Sequence, residues 1–142
     1  MVEVYAPEGA EVYVTTKLSS VLTRINKIYN CLPSDLHFYM DNVRSNVRNT
    51  LVGLECSPNI SNEGLDFLDK VSLYTELRKI YNDLNECSLL IFDNCDITFA
   101  FSNVGHIMEK MAEYDSVFRW CYNNNVKKRV LNRIWNICDI II

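Results

Sequence analysis

Residues 99–111 read "FAFSNVGHIMEKM", and the reading of this stretch decides the fold of the chain. Val104, Ile107, Met108, Met111, Tyr114, Phe118 and Cys121 recur at three- and four-residue steps, the spacing of one helix face. Ala112, Val117 and Trp120 fall off that stripe, which predicts a helix apolar on more than one side, central in a bundle. Asn103 stands where a side-chain oxygen would cap a helix starting at Val104. Gly105 is then out of place. The chain has only four glycines, and one inside a helix costs about 1 kcal/mol relative to alanine. Close approach of another backbone or close packing of two helices would account for it.

The same periodicity extends outward in both directions. Leu18, Val21, Leu22, Ile25, Ile28 and Tyr29 predict a first helix from Thr16, stopped by Pro33. Ser34 is placed to cap a second, with Asp35 in its first turn. Leu36, Met40, Val43, Val47, Leu51 and Leu54 form its apolar stripe, and Arg44 and Arg48 lie four apart on another face. Gly53 and "CSPN" at 56–59 end it, and "ISNEG" at 60–64 is a linker. Leu65, Leu68, Val71, Tyr74, Leu77, Tyr81 and Leu84 fit one helix or two consecutive ones. "SLLIF" at 88–92 is continuously apolar, and 88–101 reads as one or two short helical pieces. "NNN" at 123–125 precedes a last helix with Val126, Val130, Ile134, Ile137, Cys138 and Ile141 inside. Residues 2–14 alternate instead, around Pro7 and Gly9, which predicts a short hairpin or extended arm over 1–15.

The sum is one all-α domain over 1–142, with six or seven helices around a central hydrophobic one. A hydrophobic content of 49% suffices for a core without disulfide or metal staples. The net charge of −4 argues against a dedicated nucleic-acid binder, which would carry a basic stripe. Lys127, Lys128, Arg129 and Arg133 read as the wet face of the last helix, or as a contact for phosphate or anionic lipid. No apolar run approaches the roughly 18 residues of a membrane span. Six cysteines without a CxxC pair, and no apparent signal peptide, predict reduced thiols in the cytoplasm. Asn59-Ile60-Ser61 fits the glycosylation triplet, which carries no meaning in that compartment.

Chemistry is thinly signalled. His37 and His106 have no Cys, His or carboxylate partners completing a metal-ligand pattern, although Glu109 is three residues beyond His106. No GxSxG, P-loop or GxGxxG occurs. Asp66 and Asp69 read as a solvated helix face rather than a glycosidase pair. A non-catalytic protein with no cofactor and no metal is therefore expected, with a small cytosolic enzyme of unknown class as a rival reading.

Asn103-Val104-Gly105-His106-Ile107, following Phe99-Ala100-Phe101, resembles the first homology motif of the Bcl-2 family, in which Asn-Trp-Gly-Arg opens the central helix. The order of helices over 17–142 is similar to that family, and the small size, the Asn, Ile and Tyr content and the missing signal suggest a divergent viral member. The resemblance implies a Bcl-2-like bundle with a hydrophobic groove that receives BH3 helices of pro-apoptotic proteins such as Bim, Bak or Bax. It implies a role in blocking mitochondrial apoptosis from the host cytoplasm or peripherally at mitochondria. Asn103 would then cap the helix and offer a polar rim contact, and Gly105 would admit the ligand backbone. The alternative is that Gly105 only lets two bundle helices touch. Val47, Leu51, Leu77, Tyr81 and Phe99 are candidate groove walls, or plain core.

Two positions depart from the motif: Val104 replaces tryptophan, and His106 replaces the arginine that pairs with a ligand aspartate. A neutral histidine supplies one hydrogen bond where arginine supplies a charged fork, so weaker or narrower binding is expected. The family's second tryptophan-bearing motif and membrane tail find no counterpart, and the apolar Ile140–Ile142 must pack on the bundle or on a second copy in a homodimer. A rival within the same fold closes the groove and binds an innate-signalling protein through an outer face.

Overall fold

The computed structural model describes residues 9–91 and 94–124. Its elements are five α-helices and two 3-10 turns, with no strand among the described residues, so the protein is all-α.

Helix α1 spans Ala10–Ile28 and buries Val14, Leu18, Val21, Leu22, Ile25 and Ile28. Gly9 precedes it at φ 84°, a left-handed turn that a residue with a side chain would resist. The arm predicted over 1–15 is thus corrected from residue 10 onward, while residues 1–8 lie outside the described ones. Val14 stands four residues before Leu18, in step with the helical stripe, and two valines two apart are too short a signal to separate strand from helix.

Pro33 breaks the chain as expected, between 3-10 turns at Tyr29–Cys31 and Ser34–Leu36. Helix α2 follows over His37–Gly53. Ser34 makes no side-chain cap, because the 3-10 turn already leads the backbone into the helix. At its far end the Cys56 N–H donates to the Leu51 carbonyl around Glu55, whose φ is 56°.

Helix α3 runs unbroken over Lys70–Leu90, so "SLL" is its last turn rather than a separate piece. Asp69 caps it by accepting from the Ser72 N–H at 2.9 Å. Leu65 and Leu68 precede the helix instead of belonging to it, and the Leu65 N–H donates to the Lys27 carbonyl of α1 at 2.9 Å.

Helix α4 spans Cys95–Tyr114 and α5 spans Ser116–Asn124. The single helix expected from Val104 to Cys121 is therefore two. Asp115 breaks it and caps α5, accepting from the Phe118 N–H at 2.9 Å. The break turns Val117 and Trp120 outward, where both are about half exposed.

Helix α4 packs on α2, α3 and α5, while α3 packs on α1, α4 and α5. Burial is continuous from Ser72 to Leu77, so α3 shares the centre with α4. Tyr74 meets Phe118 edge-on at 5.5 Å, fastening α3 to α5. Glu76 is buried between α1 and α3 and is neutralised by Arg24 at 2.8 Å, with Lys27 at 3.7 Å and Lys79 at 4.0 Å. The expected last helix, its basic cluster Lys127, Lys128, Arg129 and Arg133, and the apolar Ile140–Ile142 lie outside the described residues.

Candidate functional site

Asn103 does not cap the central helix. Asn94 does, its side chain accepting from the Ile97 N–H at 3.0 Å. Asn103 lies in mid-helix and donates through Nδ2 to the Phe99 carbonyl one turn back, at 2.9 Å. The first half of α4 is helical because Ile97, Ala100 and Val104 continue the buried stripe backward at three- and four-residue steps. Gly105 therefore sits in the middle of α4 rather than at its start, unlike the glycine of the motif it resembles.

Gly105 borders an open recess of about 330 Å³, lined also by Tyr74, Arg78 and Tyr81 from α3, Met108 and Glu109 from α4, and Tyr122 from α5. A methyl group at position 105 would touch only Tyr81 Cε1, at an ordinary 3.6 Å. The Tyr81 ring stacks on Phe101 with centroids 4.3 Å apart, and the Arg78 guanidinium lies 5.2 Å from the Tyr81 centroid. Burial holds the phenols of Tyr74 and Tyr122 above their usual 10, with the nearby Glu109 carboxylate adding to the rise at Tyr122. The recess thus combines neutral rings with one cation and one anion at its rim. That composition suits an apolar side chain flanked by polar contacts, and the volume lies at the small end of ligand pockets.

The remaining candidates do not converge there. Val47, Leu51 and Leu77 are 0%, 1% and 0% exposed and belong to the core, although Leu51 also reaches the floor of a separate hollow of about 460 Å³ with Leu22, Val52, Cys56 and Ile60. His106 turns to the other side of α4, where its ring lies 4.6 Å from Tyr39 of α2. Its Nε2 is buried without a hydrogen-bond partner. Phe99 is 59% exposed, beside a separate hollow near Ile91, Cys95 and Thr98. Of the eight candidates, Tyr81 and Gly105 come together at one open recess among the described residues. Sequence reasoning placed Tyr74 in a helix stripe, weighed Glu109 only as a neighbour of His106 and did not single out Arg78 or Tyr122, because nothing in the periodicity says which helices meet. His37 is held in the scaffold, stacked on Tyr29 at 4.1 Å with Nε2 2.9 Å from the Tyr29 carbonyl oxygen.

No described helix is long and apolar enough to cross a membrane, and no group of His, Cys, Asp or Glu among the described residues is arranged to hold a metal ion. Compared with known proteins, the chain matches no family model, no curated sequence and no solved structure.

Proposed function

We propose that this chain is a non-catalytic binding protein of Bcl-2-like helix order, with its internal groove closed, that engages a protein partner through its outer surface. The observation that supports this reading most is the burial of Val47, Leu51 and Leu77 in one continuous core with Val104 and Met108 of α4, which leaves them unavailable as the walls of a helix-binding groove. A partner then has only the exterior to bind. The resemblance of residues 103–107 suggests the setting: a viral modulator of host innate signalling, working in the host cytoplasm. Both histidines are engaged in ring contacts within the scaffold, which favours binding over proton-transfer chemistry.

The second reading is capture of a BH3 helix, with one ligand side chain entering the recess beside Gly105. It is favoured by the absence of any crowding there except Tyr81 at 3.6 Å. Titration calorimetry with BH3 peptides of Bim, Bak and Bax separates the two. The closed-groove reading expects no heat of binding from any of the peptides. Saturable binding that disappears in a folded Gly105→Glu variant would reverse the order of the two readings.

A further inference from the structure

The recess at Gly105 is not the only concavity with built-in chemistry. A second, of about 260 Å³, opens between the end of α1 and the middle of α2. Its lining is polar throughout: Asn26, Tyr29, Asn30, Arg44, Arg48 and Asn62, with Gly64 at its edge. It shares no residue with the first recess.

The framework of this recess is tightly held. Asn26 Nδ2 donates to the Ser61 carbonyl at 3.1 Å and lies 3.4 Å from Asn62 Oδ1, pinning the loop onto α1. A Cβ on Gly64 would come within 3.1 Å of the Asn26 carbonyl oxygen, a tight contact that the loop would have to ease by moving slightly off α1. Arg44 is positioned by its own surroundings, with its guanidinium 4.7 Å from the Tyr29 centroid and 3.6 Å from Asp41. Its Nε is buried and has no hydrogen-bond partner. Arg48, one turn further on, is exposed and has no carboxylate within ion-pair distance among the described residues.

The charge balance selects the ligand. Two guanidinium groups contribute about +2, Asp41 offsets one unit, and the nearby C-terminal end of α1 offsets roughly another half. The residue is a modest positive charge with amide donors around it. That matches a monoanion better than a phosphoryl dianion, and a guanidinium fork matches a planar carboxylate.

We infer that this recess is a carboxylate-binding site, which receives a Glu or Asp side chain of an acidic segment on a partner protein. Arg48 is the primary anchor, Arg44 supports it, and the asparagine amides complete the contact. The inference deepens the outer-face reading and rests on it for the nature of the partner.

The test is a nuclear magnetic resonance titration of the whole chain, following the side-chain amides of Asn26, Asn30 and Asn62. The probes are sodium acetate, sodium phosphate, sodium chloride and the capped peptides (Gly-Glu)3 and (Gly-Gln)3. Acetate and (Gly-Glu)3 are expected to give saturable shifts confined to these amides, with (Gly-Gln)3 giving none. Arg48→Gln is expected to weaken (Gly-Glu)3 binding by at least about tenfold, since a charged hydrogen-bond pair is lost. Arg48 is exposed, so the fold is not at risk, and Arg44→Lys provides a second variant that keeps the charge but removes the fork. Matching shifts with chloride, tighter binding of phosphate than of acetate, or unchanged affinity in Arg48→Gln would each overturn the inference. BH3 binding is read in a separate experiment, so loss of the carboxylate site leaves the closed-groove reading standing, and the reverse also holds.

Discussion

At residue scale, Gly105 and the cysteines lead to measurable consequences. The position of Gly105 is an ordinary helical one with room for a methyl group 3.6 Å from Tyr81. Gly105→Ala should therefore stabilise the protein by about 0.5–1 kcal/mol through the smaller backbone entropy cost, as measured by urea denaturation. A loss of more than about 1 kcal/mol would mean that α3 and α4 pack closer at this point than the present geometry. The thiols separate by environment. Burial, with Asp83 and Glu86 nearby, pushes Cys87 up to about 12, and burial also raises Cys31 and Cys121, whereas Cys95 is exposed at the start of α4. The thiolate is the reactive species. Alkylation at pH 8, mapped by peptide mass spectrometry, should modify Cys95 while Cys87 stays intact until the protein unfolds.

At the scale of elements, the start of α4 is the decisive boundary. The sequence pattern puts the cap at Asn103, while the structure puts it at Asn94, nine residues earlier. Tertiary structure favours Asn94, because Ile97, Ala100 and Val104 all reach the core when the helix begins at Cys95. Asn94→Ala should then cost about 1 kcal/mol, the usual loss of an N-cap. Asn103→Ala should change stability by less than about 0.5 kcal/mol, because a mid-helix asparagine bonded to its own turn is no better than alanine. Thermal denaturation of the two variants side by side would exchange their ranks if the helix began at Val104. The same boundary puts Gly105 in mid-helix, at the border of the recess it shares with Tyr81, rather than at the start of α4.

At the scale of the whole molecule, the continuous core sets the cost of truncating it. Leu51 and Leu77 belong to one continuous core that includes Val47, Val104 and Met108. Leu51→Ala and Leu77→Ala should each cost about 2–5 kcal/mol in chemical denaturation, the range for fully buried leucines. Groove walls open to a ligand would lose far less stability and would instead lose ligand affinity. Glu76 makes the complementary point for charge. It is tolerated between α1 and α3 because Arg24 and Lys27 reach it from α1, a meeting of residues about fifty positions apart that local patterning does not reveal.

The chain by itself determined its all-helical character, the apolar faces of α1 to α3 and of the second half of α4, and the stop at Pro33. These follow from periodicity, backbone restriction and side-chain size, which act within a few residues and are written into the order of amino acids. Tertiary structure alone decided where α4 begins, that Asp115 divides it from α5, that residues 10–15 are helical, and which of the apolar positions are core. It also set Gly105 against Tyr81 of α3 and His106 against Tyr39 of α2, and brought Arg44 and Arg48 together with Asn26 and Asn62. Such outcomes depend on which distant faces meet, because burial is won jointly by two surfaces and neither surface specifies its partner in its own sequence.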